Sequence, residues 1–131
     1  MDFNGTVIND SPTFVAAAGA AITTGPFTAV AFSKGSFIAS TSSTVPFGIT
    51  VAETDNPVAV GDDVTAQIKD ISAWKAGGTF AAGDALACDD TGCAIKAAAG
   101  KYVLGYALEE ATAAGQVVRV QITKSGIVAT A

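Results

Sequence analysis

Residues 76–97 read AGGTFAAGDALACDDTGCAIKA, and residues 18–39 read AGAAITTGPFTAVAFSKGSFIA. With a one-residue gap in the central turn, the two stretches align along their whole length. The matched positions are Ala18 with Ala76, Gly25 with Gly83, Gly35 with Gly92, and Ile38 with Ile95. Ordered matches of this kind indicate that the chain contains two diverged copies of one structural unit.

The correspondence continues through the second half of each copy, where FGITVAETDNPVAVGDDVTAQI at 47–68 aligns with LGYALEEATAAGQVVRVQI at 104–122. The gap is confined to a presumed loop. The paired residues are Phe47 with Leu104, Gly48 with Gly105, Gly61 with Gly115, Val64 with Val118, and Ile68 with Ile122. We therefore predict a single β domain over 18–131. It comprises repeat 1 at 18–68, a link at 69–75 and repeat 2 at 76–122, and it follows an N-terminal arm at 1–17.

Each repeat contains short runs of strand-forming residues separated by Gly, Asp, Asn and Pro, which are typical of turns. Residues 116–122, QVVRVQI, alternate apolar and polar side chains with the period of a half-buried strand. The predicted strands are 27–32, 36–40, 45–51 and 63–69 in repeat 1, and 85–88, 93–96, 102–108 and 116–122 in repeat 2. We predict an all-β fold, either a small barrel or a sandwich built from two tandem repeats.

Composition narrows the range of partners. Charged residues are 15% of the chain, which has a formal net charge of −5 with only seven Lys and Arg. No basic stripe is available to neutralise phosphates, so we expect neither nucleic acid nor an anionic membrane as a partner. No apolar run approaches the roughly 20 residues of a membrane span. The acidic start also lacks the basic flank of a signal peptide, so we expect synthesis and folding in a cytoplasm.

The chain has no His, and this removes the commonest general base and metal ligand. Two acidic pairs, Asp62-Asp63 and Asp89-Asp90, lie beside Gly in predicted turns. Asp favours turns through hydrogen bonds to the backbone, and no calcium-loop spacing is present. We therefore expect no enzyme activity, no cofactor and no metal. The enzyme alternative requires chemistry by carboxylates alone, as in glycosidases.

Cys88 and Cys93 flank the four residues DDTG, and we expect them to face each other across a hairpin. Opposed Cα atoms in an antiparallel pair are about 4.5–5.5 Å apart, which is within disulfide range. So short a loop would contribute only about 2 kcal/mol, and a cytoplasm keeps thiols reduced. The sequence allows either state.

Residues 74–122 resemble the second half of small phage proteins associated with capsid decoration. The resemblance lies in Ala82-Gly83-Asp84 opening a strand, the Asp-x-x-Gly turn, Leu104-Gly105, and Gly115 leading into VVRVQI. The duplicated architecture is similar too. The chain is thus identified as a member of the phage capsid decoration, or cement, proteins.

That resemblance implies a structural virion protein that binds the outer surface of an icosahedral phage head. Its partners would be the major capsid protein and other copies of itself, as a homotrimer at or near three-fold positions. The alternative is a β-rich receptor- or glycan-binding surface module, which needs a cluster of exposed aromatic residues. Trp74, Tyr102 and Tyr106 are few, and we expect Tyr106 to point into the core.

The arm at 1–17 carries four apolar residues, Phe3, Val7, Ile8 and Phe14, separated by Asn, Gly, Asp and Pro. Their spacing forms neither a helical stripe nor a hairpin. An extended segment of this kind can add as a strand to an exposed sheet edge. We therefore expect these four residues to make the main contact with the capsid.

Overall fold

The computed structural model describes residues 11–128, which form ten strands joined in antiparallel ladders. The first five strands form one sheet in the order β1-β5-β4-β2-β3, and the last five form a second sheet in the order β6-β10-β9-β7-β8. The strands are β1 Thr13–Ala17, β2 Ala29–Ser33, β3 Ser36–Ala39, β4 Gly48–Thr50, β5 Asp63–Gln67, β6 Asp70–Lys75, β7 Ala85–Cys88, β8 Ala94–Lys96, β9 Tyr102–Ala107 and β10 Val117–Ile127.

The two sheets have the same strand order, so each strand of the first sheet has a counterpart in the second. Backbone hydrogen bonds recur in the same way. The N–H of Ala18 donates to Asp62, and that of Ala76 donates to Gln116, at 2.8 and 2.7 Å. The predicted all-β fold of two tandem repeats is confirmed. Of the two architectures considered, the structure is sandwich-like, and its sheets do not close into a barrel.

Each repeat begins earlier than the sequence alignment indicated. Thr13–Ala17, which we assigned to the arm, pairs along its whole length with β5. Asp70–Lys75, which we assigned to the link, pairs in the same manner with β10. The arm and link boundaries at 17 and 75 are therefore corrected, because both segments are edge strands of their sheets. Of the predicted arm, residues 1–10 lie outside the described residues.

One matched glycine pair is also displaced. The N–H of Gly83 donates to Ala107, and the equivalent bond in the first repeat comes from Phe27 to Thr50. Phe27 and Gly83 both have left-handed backbones, with φ of 61° and 90°. Phe27, and not Gly25, is thus the structural counterpart of Gly83. Sequence matching missed this because a left-handed position is usually glycine.

Each repeat has its own buried interior beneath its sheet. In the first repeat an isolated bridge joins Ala18 to Phe37, and in the second repeat the equivalent bridge joins Ala76 to Ala94. Each bridge follows the first strand of its sheet and brings that edge towards the strand at the opposite edge. The first interior contains Ala18, Ile22, Val30, Phe37, Val58, Val64 and Ala66. The second contains Trp74, Ala76, Phe80, Leu86, Cys88, Ala94, Leu104, Ala107, Ala111, Val118, Val120 and Ile122, together with Ala29 and Ile49 from the first repeat.

The repeats dock through residues 27–29, which lie between two parts of the second repeat. On one side the N–H of Lys75 donates to the carbonyl of Phe27 at 2.8 Å. On the other, the N–H of Ala29 donates to the carbonyl of Gly92 at 2.7 Å. The Trp74 indole donates to the same Gly92 carbonyl at 2.9 Å. The two repeats therefore form one body with a shared buried cluster.

Between residues 11 and 128, the structure contains no helix with the length and hydrophobicity that crossing a bilayer requires.

Candidate interaction surface

The carboxylate of Asp89 stabilises its own turn by accepting hydrogen bonds from the turn residues that follow it. One carboxylate oxygen of Asp89 accepts hydrogen bonds from the N–H and hydroxyl of Thr91, both at 2.8 Å, and from the N–H of Cys93 at 2.9 Å. Hydrogen bonds from Ser42, in the first repeat, lower the pKa of Asp90 below its ordinary value. Among residues 11–128, no group of three Cys, Asp or Glu side chains is placed to hold a metal ion. The acidic turn at Asp89-Asp90 therefore has structural partners.

The predicted hairpin around the cysteines is present, but its register differs from the expected one. Cys88 pairs with Ala94, and Cys93 lies in the turn. Both thiols are free in the structure, with Cys88 buried and Cys93 partly exposed. Burial raises the pKa of the Cys88 thiol to about 12. The residue directly opposite Cys88 in the ladder is therefore Ala94, and Cys93 is the preceding residue in the turn.

Four phenylalanines of the first repeat form an aromatic cluster: Phe14, Phe32, Phe37 and Phe47. The ring of Phe14 meets that of Phe32 edge-on with centroids 5.9 Å apart. Phe32 stacks on Phe47 at 5.1 Å and meets the fully buried Phe37 at 5.5 Å. Phe14 and Phe32 remain 39% and 41% exposed. The aromatic cluster is thus anchored in the core and open to solvent on one side.

Lys124 of β10 lies at the border of the aromatic cluster. Its Nζ is 4.1 Å from the centroid of Phe47, which places the ammonium over the ring face. Such a contact is attractive because the ring face is electron-rich. Partial burial lowers the pKa of Lys124. The aromatic cluster therefore carries a positive group at one edge.

A second apolar surface lies on the outer face of the second sheet. Tyr106 pairs with Gln121, and Gln121 pairs with Ile71, so these side chains form a row across three strands. Leu108 and Val117 are exposed near this row, and Arg119 forms an ion pair with Glu109 beside it. Large apolar side chains exposed together are typical of interaction sites.

The expectation that Tyr106 points into the core is wrong. Its partner Gln121 lies between two buried residues, Val120 and Ile122, and therefore faces outward. Directly paired residues in an antiparallel ladder share a face. Tyr106 accordingly faces solvent and is 39% exposed. Of the other two aromatics, Trp74 is fully buried and Tyr102 is partly buried.

The predicted capsid-contact residues fall into two groups. Phe3, Val7 and Ile8 lie outside the described residues. Phe14 is part of β1 and of the aromatic cluster. Phe14 is thus the predicted contact residue that falls within the described part of the chain. The structure also adds Phe32, Tyr106 and Ile71 as exposed apolar residues, whose exposure no sequence spacing indicated.

Comparison with known proteins identifies the family. A family described as phage cement protein matches residues 7–122. The structure is similar to that of the head fiber gp8.5 N base in bacteriophage phi29, with a TM-score of 0.66 and 25% sequence identity over 88% of this chain and 96% of that chain. No curated protein matches this chain. The repeated all-β fold and the match over most of the sequence agree, and the chain belongs to the phage cement proteins.

Proposed function

We propose that this protein decorates the outer surface of a phage head, where it binds the major capsid protein and stabilises contacts between neighbouring capsid subunits. The observation that carries the proposal is the family match over residues 7–122. The small body with two exposed apolar surfaces supports it, since such surfaces favour binding to other proteins.

Such a protein would stabilise the head by binding alone, without catalysing a reaction. A specific interface buries on the order of 1,600 Å² in total. A protein with several such contacts links neighbouring subunits, and each additional contact forms at a high effective concentration. A shell decorated at many sites therefore resists internal pressure better than a bare one. We accordingly propose a structural protein without catalytic activity or cofactor, and not an enzyme.

We further propose that the protein acts as a homotrimer at or near three-fold positions of the head, after synthesis in the host cytoplasm. Phage cement proteins are virion components. The net charge of −5 argues for protein partners and against nucleic acid or anionic membrane.

The arm preceding β1 is the proposed main contact with the capsid. Phe3, Val7 and Ile8 carry its apolar character, and burial of each could contribute roughly 1.5–3 kcal/mol. Phe14 is left out of this contact because it is paired in β1 and packed against Phe32 and Phe37. β1, which follows these residues in the sequence, is an edge strand that begins at Thr13.

The test uses undecorated heads of the phage that encodes the protein. Deletion of residues 2–10 leaves β1 intact, so the truncated chain should fold and should bind heads far more weakly in a co-sedimentation assay. The double substitution Phe3→Asp with Ile8→Asp should have the same effect. Asn4→Asp with Thr6→Asp adds the same charge to the same segment without removing apolar side chains, and should bind normally.

Two outcomes separate the parts of this proposal. Undiminished binding by the truncated chain refutes the arm contact and moves the capsid-binding surface to the β body. Failure of the full-length chain to bind heads refutes the decoration function itself.

A further inference from the structure

The contact between the two repeats shows how one copy of this unit fits against another. Residues 27–29 of the first repeat lie in a groove of the second repeat, between Lys75 at the end of β6 and Gly92 in the β7–β8 turn. Ile49, beside residues 27–29, is fully buried in the same cluster as Trp74. We call the first element the inserted segment and the second the receiving groove. Both are present twice in the chain because the chain is duplicated.

The receiving groove of the first repeat is open. Its counterparts of Trp74, Lys75 and Gly92 are Ala16, Ala17 and Gly35, placed by the shared strand register and by the matching bridges of Ala18 and Ala76. A Cβ added to Gly92 would meet Thr28 at 3.1 Å and the Ala29 carbonyl oxygen at 3.2 Å, whereas one added to Gly35 meets nothing within 4 Å.

The inserted segment of the second repeat is also uncovered. Residues 83–85 correspond to 27–29, because Ala85 pairs with Tyr106 as Ala29 pairs with Ile49. Ile49 is fully buried by the other repeat, and Tyr106 in the same position is 39% exposed. Gly83 is exposed, whereas its counterpart Phe27 is partly buried.

The two uncovered elements are complementary in size. Inside the chain, the medium-sized Ile49 shares a buried cluster with the large Trp74. In the uncovered pair, the large Tyr106 corresponds to Ile49 and the small Ala16 corresponds to Trp74. Phe14 lies on the same face of β1 as Ala16, and its exposed ring packs on Phe32, so a tyrosine docked beside Ala16 would lie near aromatic rings, which attract one another beyond their buried area.

The charges of the two elements are complementary as well. Asp84 occupies the position of Thr28, whose side chain lies against Gly92. The counterpart of Gly92 is Gly35, and its neighbour Lys34 is exposed. Docking in the intrachain manner would place Asp84 against Gly35, next to the oppositely charged Lys34 in sequence.

We propose that the second repeat of one copy docks on the first repeat of another copy, with residues 83–85 and Tyr106 in the groove formed by Ala16, Ala17 and Gly35. The inference rests on the self-association in the proposed function and assigns the surfaces that perform it. The contact is heterologous, so each copy contributes two different surfaces. Such contacts build a closed ring when the rotation between copies closes.

The test measures self-association in solution, without capsids, by sedimentation and light scattering over a concentration series. The wild-type chain should form a defined oligomer. Tyr106→Asp removes one surface and Phe14→Asp the other, so each variant alone should remain monomeric, with its dissociation constant raised at least tenfold.

Mixing distinguishes this contact from any symmetric one. The Tyr106→Asp chain keeps its groove and the Phe14→Asp chain keeps its inserted segment, so an equimolar mixture should form a one-to-one dimer that does not grow. Val45→Asp places the same charge at another exposed apolar position and should self-associate normally. Fluorescence of the buried Trp74 checks that every variant is folded.

A wild-type chain that stays monomeric, a mixture that stays monomeric, or a Val45→Asp chain as impaired as Tyr106→Asp overturns the inference. A chain that self-associates as described but does not bind phage heads refutes the decoration function and leaves the assigned surfaces standing.

Discussion

Cys88 and Cys93 are close in sequence and occupy different environments. Cys88 ends β7 with its side chain in the second interior, and its thiol donates to the Asp89 carbonyl at 3.1 Å. Cys93 lies in the turn and is partly exposed. Reactivity of a thiol requires both access and ionisation to the thiolate. The two residues should therefore differ strongly in reactivity.

We expect one fast-reacting thiol per folded chain at pH 8 and two after denaturation. Cys93 is accessible, whereas Cys88 is buried and its pKa is raised to about 12. Titration with a chromogenic disulfide reagent, with and without guanidinium, measures both numbers. In a Cys93→Ser control the fast phase should disappear. Absence of free thiols in denatured, unreduced protein would show that the two cysteines are disulfide-bonded.

The raised pKa of Cys88 also predicts an alkaline loss of stability. The unfolded chain releases this proton near pH 8.5, while the native chain keeps it up to about 12. The contribution is therefore present below pH 8.5 and is lost as pH rises towards 12. Between pH 8 and 10, the wild-type free energy of unfolding should fall by about 2 kcal/mol more than that of Cys88→Ala. Denaturant titrations followed by Trp74 fluorescence measure this, and equal falls in both proteins would contradict it.

At the scale of the strand, close backbone packing requires glycine at equivalent positions of β4 and β9. A Cβ on Gly48 would lie 2.7 Å from the Gln67 carbonyl oxygen, and one on Gly105 would overlap the Gln121 carbonyl. Neither glycine is among those with a positive φ, so the requirement is steric. The pair was matched in the sequence, and the structure supplies the reason.

Gly48→Ala should lower the free energy of unfolding by about 1–3 kcal/mol, because the added methyl group forces neighbouring strands apart. Gly78→Ala is the matched control, since a Cβ there meets nothing within 4 Å. The control should change stability by no more than about 0.5 kcal/mol. Equal effects of both substitutions on thermal and denaturant unfolding would show that strand packing at Gly48 is looser than described.

Eight of the ten strands follow from local sequence, since β-prone runs between turn residues are a strong local signal. The missed strands, β1 and β6, are equivalent to each other, and their diverged sequences explain the omission. Phe14 corresponds to Ser72, and Ala16 corresponds to Trp74. Trp74 packs beside the other repeat while Ala16 does not, so the two strands have different neighbours. Sequence similarity between the two repeats is lost where their contacts differ. The exposure of Tyr106 depends on its pairing with Gln121 of β10, a long-range contact that the local sequence does not indicate.

At the scale of the whole molecule, the contact between repeats concentrates at Gly92. Its carbonyl accepts from both Ala29 and Trp74, and a Cβ added to it would meet Thr28 and Ala29 within 3.3 Å. Gly35 is its counterpart in an open groove. The two glycines have nearly equal φ, 79° and 80°, so substitution strains the backbone equally at both.

This equality allows the contact between repeats to be measured separately from backbone strain. Alanine in the left-handed region costs about 1–2 kcal/mol, and both Gly35→Ala and Gly92→Ala should show that loss. Gly92→Ala should lose about 1–3 kcal/mol more, because its methyl group overlaps the inserted segment. Denaturant unfolding at low protein concentration gives both values. Equal losses would indicate that the repeats are loosely docked.

The groove that receives residues 27–29 also has a consequence for how many molecules an assembly must recruit. A unit that carries both an inserted segment and a receiving groove is complementary to itself, so separate single units would join one another in the same manner. Fusing two units in one chain makes one of every two such contacts intramolecular, where the effective concentration is in the millimolar range. Half of the contacts between units are then formed within each chain before any two chains associate. For the same number of units, half as many separate molecules have to come together, so less translational entropy is lost.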